Sequence, residues 1–480
     1  MHETLTRNLA LSGCCCAVLI LTGCTVGPDF RRPDVSGITP ASWRAGTGIS
    51  EQDPGDLAGW WKKLGDSTLN QLIDRALENN HDVRLAGSRV RQAIEIRRAT
   101  AGQLYPSLST SHSASRIQVS QATNTSSFQP RTYESHAHGF DSTWELDLFG
   151  GIRRSVEAAD AEIEVTEEDL RSALVSVAAE VALNYVDYRS FQDRLSIARD
   201  NLETQLETLE FVRSRQEAGL VEDLEVSRAV ENVENTRAQI PTLQTAAVSA
   251  KNRIHTLVGV APGELDRLLG ESGKLPKVPT RVAVGIPAET IRHRPDIQAA
   301  ERIVAAETAR TGVAVADLYP KFGLNGSIGI EALEFSDLFS GGADVFQIGP
   351  RASWDIFRGG ALRANIKAQT EVQEQALISY EQTVLVALEE VENSLTALAN
   401  EQIRERALEK SAEASAKAAG VARSQYEDGG LTTFLDVLDA ERSRLAAEDA
   451  LATSRAQIVS NLIQLYRSLG GGWENVKPRQ

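Results

Sequence analysis

Thiols are nearly absent from this sequence. Its four cysteines are Cys14, Cys15, Cys16 and Cys24, all within the first 24 of 480 residues. Everything downstream therefore lacks a disulfide, a cysteine nucleophile or a thiolate metal ligand. Methionine occurs only at the initiator, which leaves little footing for a thioether route for copper or silver. Positive charge is short as well: 50 Lys and Arg stand against 66 Asp and Glu, a formal net charge of −16. A nucleic-acid partner is not expected, because phosphate recognition needs a basic footprint. Beyond the N-terminus no apolar run reaches the roughly 18 residues that an ordinary transmembrane helix needs. A membrane β-barrel stays open, since its strands hide inside average composition. No nucleophile–base constellation, phosphate loop or metal motif occurs, so neither an enzyme nor a cofactor is expected. His112, His136 and His138 fall in or near strands without ligand partners and read as surface histidines.

What remains is close to the soluble average, with 42 % apolar and 24 % charged residues, so the chain is not broadly disordered. Its beginning is an address. Arg7 precedes an apolar stretch from Leu9 to Leu21, too short to span and well placed as the core of a signal peptide. The stretch ends Leu21-Thr22-Gly23-Cys24, which resembles a bacterial lipobox. Residues 1–23 then read as the signal, and Cys24 as a lipidated new N-terminus. The plain alternative is an ordinary signal with an incidental cysteine. Thr25 stands where an Asp would resemble an inner-membrane retention signal, which favours the outer membrane.

The rest is written twice. Leu104-Tyr105-Pro106 returns as Leu318-Tyr319-Pro320 at an offset of 214, Asp147-Leu148-Phe149 as Asp355-Ile356-Phe357 at 208, and Gly219-Leu220 as Gly430-Leu431 at 211. Gly259 answers Gly470. Such self-similarity divides the mature chain into a first repeat, 24–284, and a second, 285–480, after a linker holding Pro262, Pro276 and Pro279. Each repeat reads as a helix, two strands and a long helical hairpin. The strands are expected near 107–148 and 321–357, and the hairpins over 151–259 and 360–470. Between Gly151 and Gln216 there is no Pro or Gly, so a helix of roughly 65 residues would run about 100 Å. Phe191, Ala198, Gln205 and Val212 recur every seven residues, with Leu195, Leu202 and Leu209 between them. Val226, Val233, Ile240, Ala247 and Ile254 do the same, as do Leu377, Val384, Val391 and Leu398, then Leu451, Ile458 and Leu465. That spacing is a coiled-coil seam. Pro241 should kink or interrupt the returning helix of the first hairpin.

The strands alternate apolar and polar residues over Phe140–Leu148, Lys321–Ile330 and Phe346–Ile356, whereas Ser107–Val119 alternates poorly. One reading is an antiparallel sheet with one wet face; the other is a barrel with lipid outside and water inside. Four strands cannot close a barrel, and open edges are not tolerated in lipid. Two chains would supply eight strands around a filled interior, and three would supply twelve, which leaves a channel.

Several motifs together resemble the outer-membrane efflux protein family, the TolC-like channel-tunnels, and its NodT-type lipoprotein branch. They are Cys24-Thr25-Val26-Gly27-Pro28-Asp29-Phe30-Arg31-Arg32-Pro33, Trp60-Trp61 before Gly65-Asp66, Arg292-His293-Arg294-Pro295-Asp296-Ile297, Leu318-Tyr319-Pro320 and Phe357-Arg358-Gly359-Gly360. The resemblance covers essentially the whole chain. It implies a mainly α, α+β fold: two tandem repeats forming a long α-helical coiled-coil barrel plus a four-stranded share of a trimeric transmembrane β-barrel. It further implies a homotrimer in the outer-membrane lipid, acting as the exit duct of a tripartite pump. The partners implied are a periplasmic adaptor and an inner-membrane transporter of the resistance-nodulation-division (RND) class. Rival readings are the exit channel of a type I protein secretion system and a coiled-coil lipoprotein that tethers the envelope.

The resemblance also implies site residues. Asp436 and Asp439 match the acidic pair that rings the closed periplasmic end, and at i, i+3 both carboxylates share a helix face. On spacing alone they equally read as helix-start acids that complement the dipole. A basic gate partner of some members is replaced by Thr432, and the stretch through Gly429-Gly430 is one residue longer than usual. Gly219, Leu220, Gly430 and Leu431 are hairpin tips, with glycine supplying the left-handed cap. The resemblance assigns those tips to adaptor docking.

Overall fold

The first two long helices of the chain start where a side chain takes over their orphan amides. Asp66 accepts from the backbone N–H of Thr68 and Leu69 at 2.8 and 3.0 Å, opening α1, Ser67–Asn79. Asn80 does the same for Asp82 and Val83 at 2.8 and 3.2 Å, opening α2, His81–Gly102. Strands β1, Ser107–Gln118, and β2, Thr132–Leu146, follow, then helices α3, Gly151–Glu217, and α4, Asp223–Val258. The order then recurs as α5, Pro295–Ala316; β3, Lys321–Ala332; β4, Asp344–Ser353; α6, Ala361–Glu427; and α7, Phe434–Ser468. This computed structural model describes residues 25–44, 49–50, 57–120, 122, 131–278, 282–283, 287, 291–428 and 432–473. Contacts divide the chain into two units.

The first unit, Met1–Pro33, Val90–Thr166 and Ala299–Tyr380, holds the sheet. Its four strands are antiparallel in the order β1-β2-β3-β4. The register aligns Phe140 with Ile328 and Ile328 with Phe346, and one residue along aligns Asp141 with Ser327 and Ser327 with Gln347. Because side chains alternate between faces, one face carries Trp144, Phe140, Leu324, Ile328, Phe346 and Ile348. The other carries Asp141, Thr143, Asn325, Ser327, Gln347 and the serines 107, 109, 111, 113 and 115 of β1. The apolar face is uncovered within a single chain: Phe346 is 78 % and Ile348 72 % exposed. Gly139 and Gly329 face one another, and a Cβ on Gly329 would come within 2.6 Å of the His138 carbonyl oxygen. Trp144 donates its indole N–H to the Leu104 carbonyl at 2.9 Å, and Trp354 donates to that of Leu318 at 3.0 Å.

Strands β2 and β4 differ at their ends from the sequence expectation. Strand β2 begins at Thr132 rather than Phe140, because β1 pairs with it as far as Gln118↔Thr132. It stops at Leu146, because Asp147 turns away to accept from the N–H of Ile152 and Arg153 at 3.1 and 2.9 Å, capping α3. Strand β4 ends at Ser353, and Ile356 N–H turns back to the Trp354 carbonyl at 3.1 Å. The N-terminal segment is strapped to the same unit. Val26 N–H donates to the Phe149 carbonyl at 3.2 Å, and the buried Arg154 donates to Val26 O at 3.1 Å and Asp29 Oδ1 at 2.7 Å.

The second unit, Asp34–Arg89, Glu167–Gln298 and Glu381–Gln480, is helical apart from the two-residue parallel pairing of Ile49–Ser50 with Val282–Ala283. Leu69, Leu72, Ile73 and Ala76 of α1 are fully buried, each large side chain worth about 1.5–3 kcal/mol relative to exposure. Trp60 stacks on Tyr466 of α7 at 5.3 Å, and the Tyr185 hydroxyl donates to Asp66 at 2.7 Å. In the hairpins Leu195, Ala198, Gln205, Leu209, Val212, Val233, Ala247 and Ile254 are buried as the heptads require. In α7 the expected seam is buried only at Leu465; Leu451 and Ile458 are half-buried, and the adjoining column Ala452, Val459 and Tyr466 is buried throughout. Of the kink or interruption expected at Pro241, the interruption does not occur: α4 is continuous through it. Proline removes one backbone donor, and the packing of Val233, Thr236, Leu243 and Ala247 on both sides holds the helix together.

Candidate functional site

The hairpin tips lie in the helical unit, and the first is built around a single glycine. Gly219 sits at φ 71°, its N–H donates to the Gln216 carbonyl at 2.9 Å, and Leu220 N–H reaches the Arg215 carbonyl at 2.9 Å. Nothing lies within 4 Å of where a Cβ on Gly219 would stand, so glycine is required there by the backbone and not by space. The turn leaves Leu220 67 % and Leu224 54 % exposed. Gly430 and Leu431, the matching residues of the second tip, lie outside the described residues.

Just after Gly430 and Leu431 in the chain, Thr433 caps α7. Its hydroxyl accepts from Asp436 N–H at 3.3 Å, while Asp436 Oδ2 accepts from Thr433 N–H at 3.0 Å, the reciprocal arrangement of a capping box. The same oxygen accepts from the hydroxyls of Thr433 at 2.5 Å and Thr432 at 3.0 Å. Those bonds favour the charged form, the Thr433 hydroxyl most, and hold the Asp436 carboxyl below the ordinary aspartate range. Asp439, one turn on, is exposed and has no hydrogen-bond or ion-pair partner among the described residues. The two acids of the pair are therefore unlike: Asp436 is committed to its own helix start, whereas Asp439 offers a free carboxylate. Thr432, in place of a basic partner, serves Asp436 directly.

Behind the tips the two hairpins are tied together. Leu209, Val212, Ala229, Val233, Tyr426, Phe434, Val437 and Leu438 form one apolar cluster from α3, α4, α6 and α7. Within it the Tyr426 hydroxyl donates to Glu225 Oε2 at 2.7 Å, and Arg215 Nη1 donates to the Tyr426 carbonyl at 3.2 Å. Burial, then Glu225, pushes the Tyr426 phenol well above its ordinary value. Arg423 pairs with Glu207 at 3.0 Å and Glu427 at 2.8 Å. These ties were missed in the sequence, although Ala412, Ala419 and Tyr426 stand on one buried heptad column that points to them.

Cys24 lies outside the described residues. Its neighbour Thr25 packs against Gly150 at the turn into α3. His112 and His138 face each other across β1 and β2 at 5.9 Å on the apolar side of the sheet, and His136 packs edge-on against Phe335. Among the described residues no group of three or more His, Cys, Asp or Glu side chains is placed to hold a metal ion. No described helix is long and apolar enough to cross a membrane.

Comparison with known proteins bears on this arrangement. The family model described as outer membrane efflux protein matches residues 72–260 and 286–471. Nodulation protein T of Rhizobium leguminosarum bv. viciae is 33 % identical over 463 residues, covering 95 % of this chain and 92 % of that protein. The toluene efflux pump outer membrane protein TtgF of Pseudomonas putida is 31 % identical over 471 residues, with 95 % of each chain covered. The solved structure of the outer-membrane channel OprN superposes with a TM-score of 0.86 at 40 % identity, covering 94 % of this chain and 100 % of that one.

Proposed function

Because this chain belongs to the outer membrane efflux protein family, we propose that it is the outer-membrane exit duct of a tripartite efflux pump. In this reading it is a passive channel for drugs or other toxic small molecules. The observation that carries the reading is the sheet: one mainly apolar face, one polar face, and in the single chain an unpaired edge on each of β1 and β4. In lipid an open edge is too costly to leave unpaired, so β4 of one chain would pair with β1 of the next. Three copies close twelve strands around a polar lumen. The apolar side chains then meet the membrane, and the serines, Asp141, Asn325 and Gln347 meet water.

The hairpins would stand in the periplasm, with Leu220 and the second tip at Gly430 and Leu431 meeting the periplasmic adaptor. Asp436 and Asp439 would ring the periplasmic entrance. Energy would come from an RND-type transporter in the inner membrane. Removal of residues 1–23 and lipidation of Cys24 would anchor the mature chain beside the turn at Gly150. The test is single-channel recording with the full-length protein in planar bilayers. Discrete current steps support the duct; a silent bilayer containing correctly folded protein refutes it and leaves an envelope tether.

A further inference from the structure

One ionisable group is sealed inside the contact between the hairpins. Glu441 of α7 is 5 % exposed, and it meets Thr208 of α3 and Asn232 of α4, each 4 % exposed. Thr208 Oγ1 lies 2.8 Å from Glu441 Oε1, and Asn232 Nδ2 donates to Glu441 Oε2 at 3.1 Å. Among the described residues no cation is paired with this carboxyl. On α7, Arg442 donates to Asn232 Oδ1 at 3.1 Å and pairs with Glu231 of α4 at 3.5 Å, while Arg444 pairs with Glu448 at 2.9 Å. On α6, Arg423 is divided between Glu207 of α3 and Glu427.

The surroundings suit a proton. The Thr208 hydroxyl also lies 3.1 Å from the Thr204 carbonyl, and its single hydrogen can serve only one acceptor. With Glu441 ionised, Thr208 donates to it. With Glu441 protonated, the carboxyl donates to Thr208 Oγ1, Thr208 donates to Thr204, and Asn232 still donates to the remaining oxygen. Every group is then satisfied without a buried charge. Nearby on α3, Gln205 is 3 % exposed, so the buried polar stretch of the interface extends beyond Thr208.

We propose that Glu441 is a proton-operated clasp: protonated, it holds α7 against α3 and α4, and ionised, it loosens that contact and favours opening of the tips. This deepens the duct reading and rests on it. Burial raises the Glu441 carboxyl above its ordinary value, opposed in part by the Thr208 hydrogen bond and then by Arg423 and Arg444. The packed state therefore binds the proton more tightly than the separated one. Its extra stability is fully present below the ordinary glutamate value of 4.5 and is lost as pH rises through the raised one. An acidified periplasm closes the clasp.

Hydrogen–deuterium exchange of the full-length protein in detergent tests this, read from about pH 5 to about pH 8 with labelling times scaled for intrinsic chemistry. In the wild type, protection of the peptides around Thr208, Asn232 and Glu441 should fall several-fold as pH rises, while sheet peptides stay level. Glu441→Gln keeps the shape, accepts from Asn232 and donates to Thr208, so it should stay protected throughout. A level wild-type series, or a Gln variant with the wild-type slope, overturns the clasp. Should the Gln variant fail to assemble, the wild-type series decides alone: a fall confined to those peptides supports the clasp, and a fall shared by the sheet overturns it. Conductance is not read here, so a level series removes the clasp and leaves the duct standing, whereas a silent bilayer removes the duct.

Discussion

The Tyr426 hydroxyl donates to Glu225 Oε2 at 2.7 Å and so joins α6, the outgoing helix of the second hairpin, to α4, the returning helix of the first. Any movement of one hairpin away from the other must break this bond. Glu225 is half-buried, so solvent screening reduces the bond to about 1 kcal/mol. Tyr426→Phe keeps the ring in its cluster and removes only the bond. The ratio of open to closed tips should rise about fivefold, read as a higher open fraction in bilayer recordings. An unchanged open fraction would mean the apolar cluster alone holds the hairpins.

The two acids of the entrance should separate on mutation. Asp439 carries the free carboxylate, so Asp439→Asn should weaken cation selectivity and divalent block at the periplasmic side. Asp436→Asn should chiefly loosen the start of α7, seen as faster amide exchange around Phe434, because its oxygen serves Thr432 and Thr433. Reversal potentials and exchange rates on the two single variants settle the division. Equal loss of block in both would contradict it.

Strand pairing depends on Gly329, where a Cβ would come within 2.6 Å of the His138 carbonyl. That atom is backbone in the middle of β2 and has no rotamer to give. Gly329→Val should therefore disrupt β2–β3 pairing and lower the yield of assembled protein, while Ser327→Val, on the same face, should assemble. Heat-modifiable mobility on gels reports both.

The mature N-terminus should be a lipidated Cys24, since Leu21-Thr22-Gly23-Cys24 closes the apolar stretch. Mass spectrometry of the N-terminal peptide reads this directly. A start elsewhere, or an unmodified thiol, defeats it.

Much of the fold was legible because its signals are local. The stretch without Pro or Gly up to Gln216 gave α3 to within a residue of its end at Glu217. Alternation through Phe322, Leu324, Ile328 and Ile330 gave β3. The start of β2 was not legible, because Glu134, His136 and His138 put polar side chains on the apolar face, and only pairing with β1 reveals the strand. The α7 seam was legible only at Leu465, because apolar side chains occupy two adjoining columns, and only packing adds Ala452, Val459 and Tyr466 in place of Leu451 and Ile458. At the tips, the chemistry of Asp436 was half visible: the spacing suggested a shared face, but the capping box depends on the backbone geometry of Thr433. Glu441 looked like any solvated acid, since its burial comes from α3 and α4, more than 200 residues earlier in the chain.

The central claim is that four strands are a share of a barrel closed by other copies of the same chain. Native mass spectrometry of the full-length protein, extracted in detergent with its strands intact, tests it most directly. The account predicts a single assembly of three chains. A stable species of one chain, with the edges of β1 and β4 unpaired, would contradict it.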